Sequence, residues 1–212
     1  MTVIIGARTP GGCIIAADGR NFSEGGGQNP IMEPKITRQN DWLLYSFAGS
    51  WRMSQILDHH IEVDPDDSPG FVDFQALRWL VRTFVPAMKE ALDSHDWKRH
   101  GDDTDEWPIH PGVVAVGDRI FYIDGGYHVC EPSLPYITAG AGEAEASAAM
   151  YVQLRNRDKL TKKAALDACS VSLEAVFYHR ADCGPPVNWA ETVVPGRQQW
   201  YAGREIFEED SR

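Results

Sequence analysis

Apolar positions along this chain fall into two rhythms. Val3-Ile4-Ile5 and Cys13-Ile14-Ile15-Ala16-Ala17 are near-continuous apolar runs of β-type residues, the pattern of strands covered on both faces. Thr9-Pro10-Gly11-Gly12 between them is hairpin punctuation. Residues 35–38 and 42–48 predict a second strand pair, residues 113–116 and 119–123 a third, and residues 187–194 and 198–201 closing strands. Elsewhere the period lengthens to that of a helix. Ser50 is a fair N-cap for a helix over residues 51–60. In residues 71–92, Phe74, Leu77, Val81, Phe84, Val85 and Met88 share one face and Pro86 predicts a kink. Residues 142–155 and 161–178 read as two further helices with Ala-rich faces, and the Gly-rich stretch 21–34 as a long loop.

The order is strands, two helices, strands, two helices, strands. Clustered antiparallel hairpins with helices grouped in pairs predict two stacked sheets between helix layers, a four-layer α/β/β/α sandwich, and not the alternation of a doubly wound fold. A chain of 212 residues suits one domain. Its core is expected over about 2–194, with 195–212 as a C-terminal extension.

Composition narrows the function classes. The net charge is −11, with no long basic run, which disfavours nucleic acid because a phosphate backbone needs a positive footprint. The acidic stretches 62–67 and 93–106 read as solvated loops. No apolar run reaches the roughly 18 residues of a membrane span, and no basic segment precedes an apolar stretch, so neither a membrane nor secretion is expected. Cys13, Cys130, Cys169 and Cys183 lie far apart without C-x-x-C pairing. They read as reduced thiols, small buried or half-buried side chains in a cytoplasmic protein. The seven histidines lack metal-ligand spacing beyond the neighbours His59 and His60, and no cofactor or metal is expected.

Five short segments carry more. Thr2-Val3-Ile4-Ile5-Gly6, Ala16-Ala17-Asp18-Gly19, Pro34-Lys35-Ile36, Phe47-Ala48-Gly49-Ser50 and Ala139-Gly140-Ala141-Gly142 stand in the order and near the spacing of the proteasome β-subunit and HslV-like family of N-terminal-nucleophile hydrolases. The chain resembles that family over roughly residues 2–183. The resemblance implies a threonine-type peptidase in which removal of Met1 exposes Thr2. A threonine hydroxyl is a poor nucleophile without a base beside it, and a free α-amino group with a pKa near 7.7–8.0 can serve. Met-Thr at a chain start would by itself mean nothing more than the first residue of a strand. The register with Asp18 and Lys35 gives it meaning.

In the family's terms Lys35 is the active-site lysine, a cation that would lower the proton affinity of the Thr2 amine. Asp18 is its counter-charge, and Gly49 supplies the oxyanion-hole N–H. Asp182, in Asp182-Cys183-Gly184, matches a late aspartate element that is shortened here and followed by Pro185-Pro186. The family's serine in the Gly-rich turn is absent, and Ala139 is read as standing in its place, with Thr138 or water as substitutes. Arg20, Met32 and Trp51 are candidates for the specificity pocket. The resemblance further implies a closed homo-oligomeric ring of six or seven subunits, a peptide or unfolded-protein substrate, and a ring-shaped ATP-driven unfoldase as partner, since the chain has no P-loop. Two alternatives stand beside this reading: a non-catalytic structural subunit of the same fold, and an N-terminal-nucleophile amidase or transpeptidase with a specific substrate.

Overall fold

Strands β1 (Val3–Thr9) and β2 (Gly12–Asp18) form the predicted hairpin, with Ile4 opposite Ala17 and Thr9 opposite Gly12. Their alternate residues feed two different cores. Val3, Ile5, Ala7, Ile14 and Ala16 face one layer, while Ile4, Cys13, Ile15 and Ala17 face another. That two-sided use is why the sequence shows no polar alternation there. The computed structural model describes residues 2–22, 28–30, 34–61, 63–64, 75–97, 109–155 and 160–193.

The remaining elements, in chain order, are β3 (Arg20–Phe22), β4 (Gln28–Pro30), β5 (Thr37–Arg38), β6 (Leu43–Phe47), α1 (Trp51–His60), α2 (Gln75–Trp79), a π turn (Leu80–Phe84), α3 (Val85–Ser94), β7 (Gly112–Val116), β8 (Arg119–Ile123), β9 (Val129–Cys130), β10 (Tyr136–Gly140), α4 (Glu143–Leu154), α5 (Lys162–His179) and β11 (Val187–Glu191). One antiparallel sheet has the order β10-β1-β2-β11 and the other β5-β6-β7-β8-β9. Helices α4 and α5 pack on the first sheet through Ala146, Met150, Ala165, Leu173 and Val176. The second sheet meets α1 to α3 through Tyr45, Met53, Leu57, Phe84 and Met88. Between the sheets lie Ile4, Ile15, Leu44, Val113, Ala115 and Ile120. The layers therefore stack α/β/β/α as predicted, each interface a continuous apolar slab.

Several details differ from the sequence expectation. The sequence places residues 138–140 in the Gly-rich turn, yet they belong to β10, which fills the edge beside β1, with Ile5 opposite Thr138 and Val3 opposite Gly140. Strands β3 and β4 pair within the stretch expected to be a loop. A π turn stands just before Pro86, closed by the Val85 N–H on the Leu80 carbonyl. Proline cannot donate, and its ring clashes with the carbonyl four residues back, so a widened turn relieves both problems. The extra residue rotates Val81 off the apolar face, where it is 53% exposed. The predicted residue Phe74, most of the acidic stretches and the strand at 198–201 lie outside the described residues. Cys130 is exposed, while the other three thiols are buried and all four are free. No helix among the described residues is long and apolar enough to cross a membrane.

Candidate active site

Thr2 sits at the entrance of β1, buried to 6% exposure. Two neighbouring strands hold its backbone. The Ala141 N–H, just past β10, donates to the Thr2 carbonyl at 2.8 Å, and the next residue, Val3, donates its N–H to Asp18 Oδ1 at 3.0 Å. Asp18 ends β2 and is fully buried. Lys35 Nζ reaches it from the segment before β5, donating at 3.1 Å to each carboxylate oxygen and at 2.6 Å to the Arg20 carbonyl. Ser46, buried in β6, donates its hydroxyl to the Lys35 carbonyl at 2.7 Å and so fixes that segment to the second sheet. The structure thus brings Asp18 and Lys35 together as a nearly buried pair, with Asp18 bonded to Val3, the residue after Thr2.

Burial dominates the electrostatics here. It pushes the Asp18 carboxyl above its ordinary value, opposed by the Lys35 charge and by N–H groups of Val3 and Gly184. The pair survives because each ion is bonded and not merely adjacent. Cys183 lies in the same field, its thiol pushed up to about 12 by burial and by Asp18 and Asp182, so it stays a neutral thiol. The segment carrying it is tied to the site by the Gly19 N–H on the Gly184 carbonyl at 3.2 Å.

Gly140 and Gly49 bring the two sheets together at this end. Gly140 has φ +92°, and a β-carbon on it would fall on the Thr2 carbonyl oxygen and lie 3.1 Å from the Ala48 β-carbon. Thr2 and the end of β6 therefore share the space that a side chain at 140 would fill. Gly49 follows Ala48 with φ +89°, and its β-carbon position is taken by the ring of His110. Only glycine adopts these angles without strain.

The Gly-rich turn needs a correction. Ala139 is fully buried in the layer between the sheets, opposite Ile4 and among Ile15, Ala17 and Ala48. A hydroxyl there would face apolar neighbours. Ala141, two residues on, is the turn residue whose N–H is bonded to the Thr2 carbonyl, and it carries no hydroxyl. Thr138 does not substitute, since its hydroxyl donates to the Glu143 carbonyl at 3.2 Å. The signal was the alternation along β10, visible only once that strand is recognised.

Asp182 is held by Arg180, whose Nε and Nη2 donate to its two oxygens at 3.1 Å each. That bidentate pairing holds its carboxyl below the usual range. Asp182 shares the field around Cys183 with Asp18 and Lys35, while its hydrogen bonds belong to Arg180. Arg20, expected in a specificity pocket, turns its guanidinium over Gly184 and donates to the Ala181 carbonyl at 3.4 Å. Trp51 opens α1 immediately after the Gly49 turn, and Met32 lies outside the described residues. His60 stacks on His95 with ring centroids 3.6 Å apart, at the helix ends of α1 and α3. Among the described residues no group of three or more His, Cys, Asp and Glu side chains could hold a metal. Sequence reasoning missed the Arg20 carbonyl, Ser46, His110 and Arg180, whose parts depend on contacts that no motif encodes.

No family model matches the chain, and no curated protein matches it. Solved structures do. BPH of Thiobacillus denitrificans superposes with a TM-score of 0.69 at 24% identity, covering 92% of this chain and all of that one. BPH in complex with epoxomicin gives 0.65 at 22%, covering 92% of this chain and 99% of that one. A eukaryotic HslV from Trypanosoma brucei gives 0.61 at 16%, covering 90% and 99%. The chain has the α/β/β/α fold of the HslV-type N-terminal-nucleophile hydrolases.

Proposed function

We propose that this chain is a threonine-type peptidase of the proteasome β-subunit and HslV-like family, acting in the cytoplasm as a closed homo-oligomeric ring on peptide or unfolded-protein substrates. The observation that carries the reading is the buried Lys35–Asp18 pair joined through Val3 to Thr2. Once Met1 is removed, the Thr2 amine takes the proton of its own hydroxyl, directly or through a water, and Oγ1 attacks the scissile carbonyl carbon. Lys35 places a positive potential beside that amine and keeps it neutral at working pH. The carbonyl oxygen becomes an oxyanion that the Gly49 N–H receives. Collapse transfers the proton to the leaving amine and leaves an ester on Oγ1, which water hydrolyses to regenerate the hydroxyl. Asp182 contributes charge to the site and no direct bond. The ring would sequester this chemistry, with an ATP-driven unfoldase delivering substrate.

BPH has been solved with epoxomicin, which makes that compound a suitable probe. Intact mass of the purified protein should show Met1 absent, and incubation should add one epoxomicin per chain on the Thr2-bearing peptide. Thr2→Ala should abolish both labelling and peptide cleavage while leaving the oligomer's mass by light scattering unchanged. Retained Met1, or labelling that persists in Thr2→Ala, refutes the assignment. A second reading, a structural subunit without turnover, is favoured by one observation: no hydroxyl stands at Ala141 beside Thr2. It predicts trimmed, ring-forming protein that neither labels nor cleaves.

A further inference from the structure

The Gly49 turn has a neighbour that no motif assigns. His110, half-buried just ahead of β7, lays its imidazole against the α-carbon of Gly49. A β-carbon built on Gly49 would collide with the ring, 2.2 Å from Cγ and Cδ2 and 2.6 Å from Nδ1. The same loop grips the turn by backbone, because the Ala48 N–H donates to the Pro111 carbonyl at 2.9 Å. One residue further, Phe47 pairs with Gly112, and the Phe47 ring occupies the space a side chain at 112 would need, its Cε1 2.7 Å from that β-carbon. Residues 110–112 thus back residues 47–49 one to one.

We propose that His110 is a positioning residue for the oxyanion turn, an inference that rests on the peptidase reading above. Glycine populates φ of either sign about equally, so Gly49 has no intrinsic reason to keep φ +89°. An oxyanion donor is effective only when its N–H is aimed before charge develops, since reorientation during the reaction is a cost to the transition state. The imidazole ring closes one face of Gly49 and the Pro111 carbonyl fixes the preceding peptide, leaving the turn one arrangement. The ring also dictates that substrate approaches Gly49 from the opposite face. The proposed device is the packing of the ring against Gly49.

The test uses the full chain in its assembled form, with a fluorogenic peptide and epoxomicin as probes. His110→Ala opens space beside Gly49 and should lower kcat by about tenfold or more, a part of the 10²–10³ lost when one such donor is removed, with KM within about twofold. His110→Phe restores a ring of similar size without a titrating nitrogen. It should hold kcat within about threefold of wild type, with an unchanged pH profile from 5.5 to 8. Epoxomicin labelling rates should follow the same order. His110→Ala as active as wild type would overturn the proposal, as would His110→Phe impaired to the same degree as His110→Ala. A pH limb missing in His110→Phe would replace packing by titration and equally overturn it. Wild-type protein labelled at Thr2 with indifferent His110 variants removes this inference alone, whereas unlabelled wild type removes the peptidase reading with it.

Discussion

Replacing Lys35 by methionine isolates what the buried pair does. Lys35 Nζ is 6% exposed and Asp18 not at all, so the change strands a carboxylate held only by N–H groups of Val3 and Gly184. Breaking a buried pair in this way costs about 3–5 kcal/mol. The charge part has a ceiling, because Asp18 can take up a proton instead. Holding a carboxyl protonated at pH 7 against an unfolded value near 3.9 costs about 1.36 kcal/mol for each of about 3.1 units, or roughly 4.2 kcal/mol. At pH 5 the same ceiling is about 1.5 kcal/mol. The sign follows from proton counting: above pH 4 the native variant binds a proton that the unfolded chain does not, so stability falls as pH rises. Urea unfolding at fixed protomer concentration should therefore show Lys35→Met less stable than wild type by about 3–4 kcal/mol at pH 7, with most of the gap closed at pH 5. Adding Asp18→Asn should recover much of the loss. A gap under about 1 kcal/mol at pH 7, or one that does not shrink on acidification, would refute the buried, bonded pair.

Four further outcomes follow from the same geometry. Ala141→Ser should raise kcat with little change in KM, whereas Ala139→Ser should leave kcat unaltered and destabilise by about 1–3 kcal/mol through an unpaired buried hydroxyl; steady-state kinetics and urea titration separate them. Gly140→Ala meets the Thr2 carbonyl at φ +92° and should cost at least about 1–3 kcal/mol of strain, with epoxomicin labelling lost before the fold melts. Asp182, whose carboxyl is depressed by Arg180, contributes stability that is present above the ordinary aspartate range and lost as pH falls through its lowered value. The thermal-melt advantage of wild type over Asp182→Asn should accordingly fade under acid and persist at pH 7. Gly49→Ala should lose turnover even at saturating substrate, since the new methyl collides with the His110 ring.

Legibility varied with how local the cause was. The β1–β2 hairpin, the β7–β8 hairpin and helix α5 were readable because their instructions are contiguous: apolar runs around glycine turns, and an Ala-rich face sustained over residues 161–178. Strand β10 was not, although Tyr136, Ile137 and Thr138 are good strand formers. Five residues between a proline and a glycine turn say little until β1 offers an unpaired edge. That omission displaced the turn by two residues and assigned Ala139 a place it does not have. Pro86 marked a local disturbance of the helix, whereas the π turn before it goes with the burial of Leu80, Phe84 and Met88 under the second sheet.

The sequence by itself determined which residues could carry chemistry and in what order the layers form, because periodicity, turn residues and motif spacing act over a few residues along the chain. It paired Lys35 with Asp18 through a motif register, and the contact at 3.1 Å followed. Only the tertiary structure decided where each group lies and what it touches. Asp182 is claimed by Arg180, Arg20 serves through its carbonyl, Ala141 stands where Ala139 was expected, and His110 lies on Gly49. These are contacts between strands and loops far apart in the chain. Their energies arise from burial and close packing that exist only after both sheets have met.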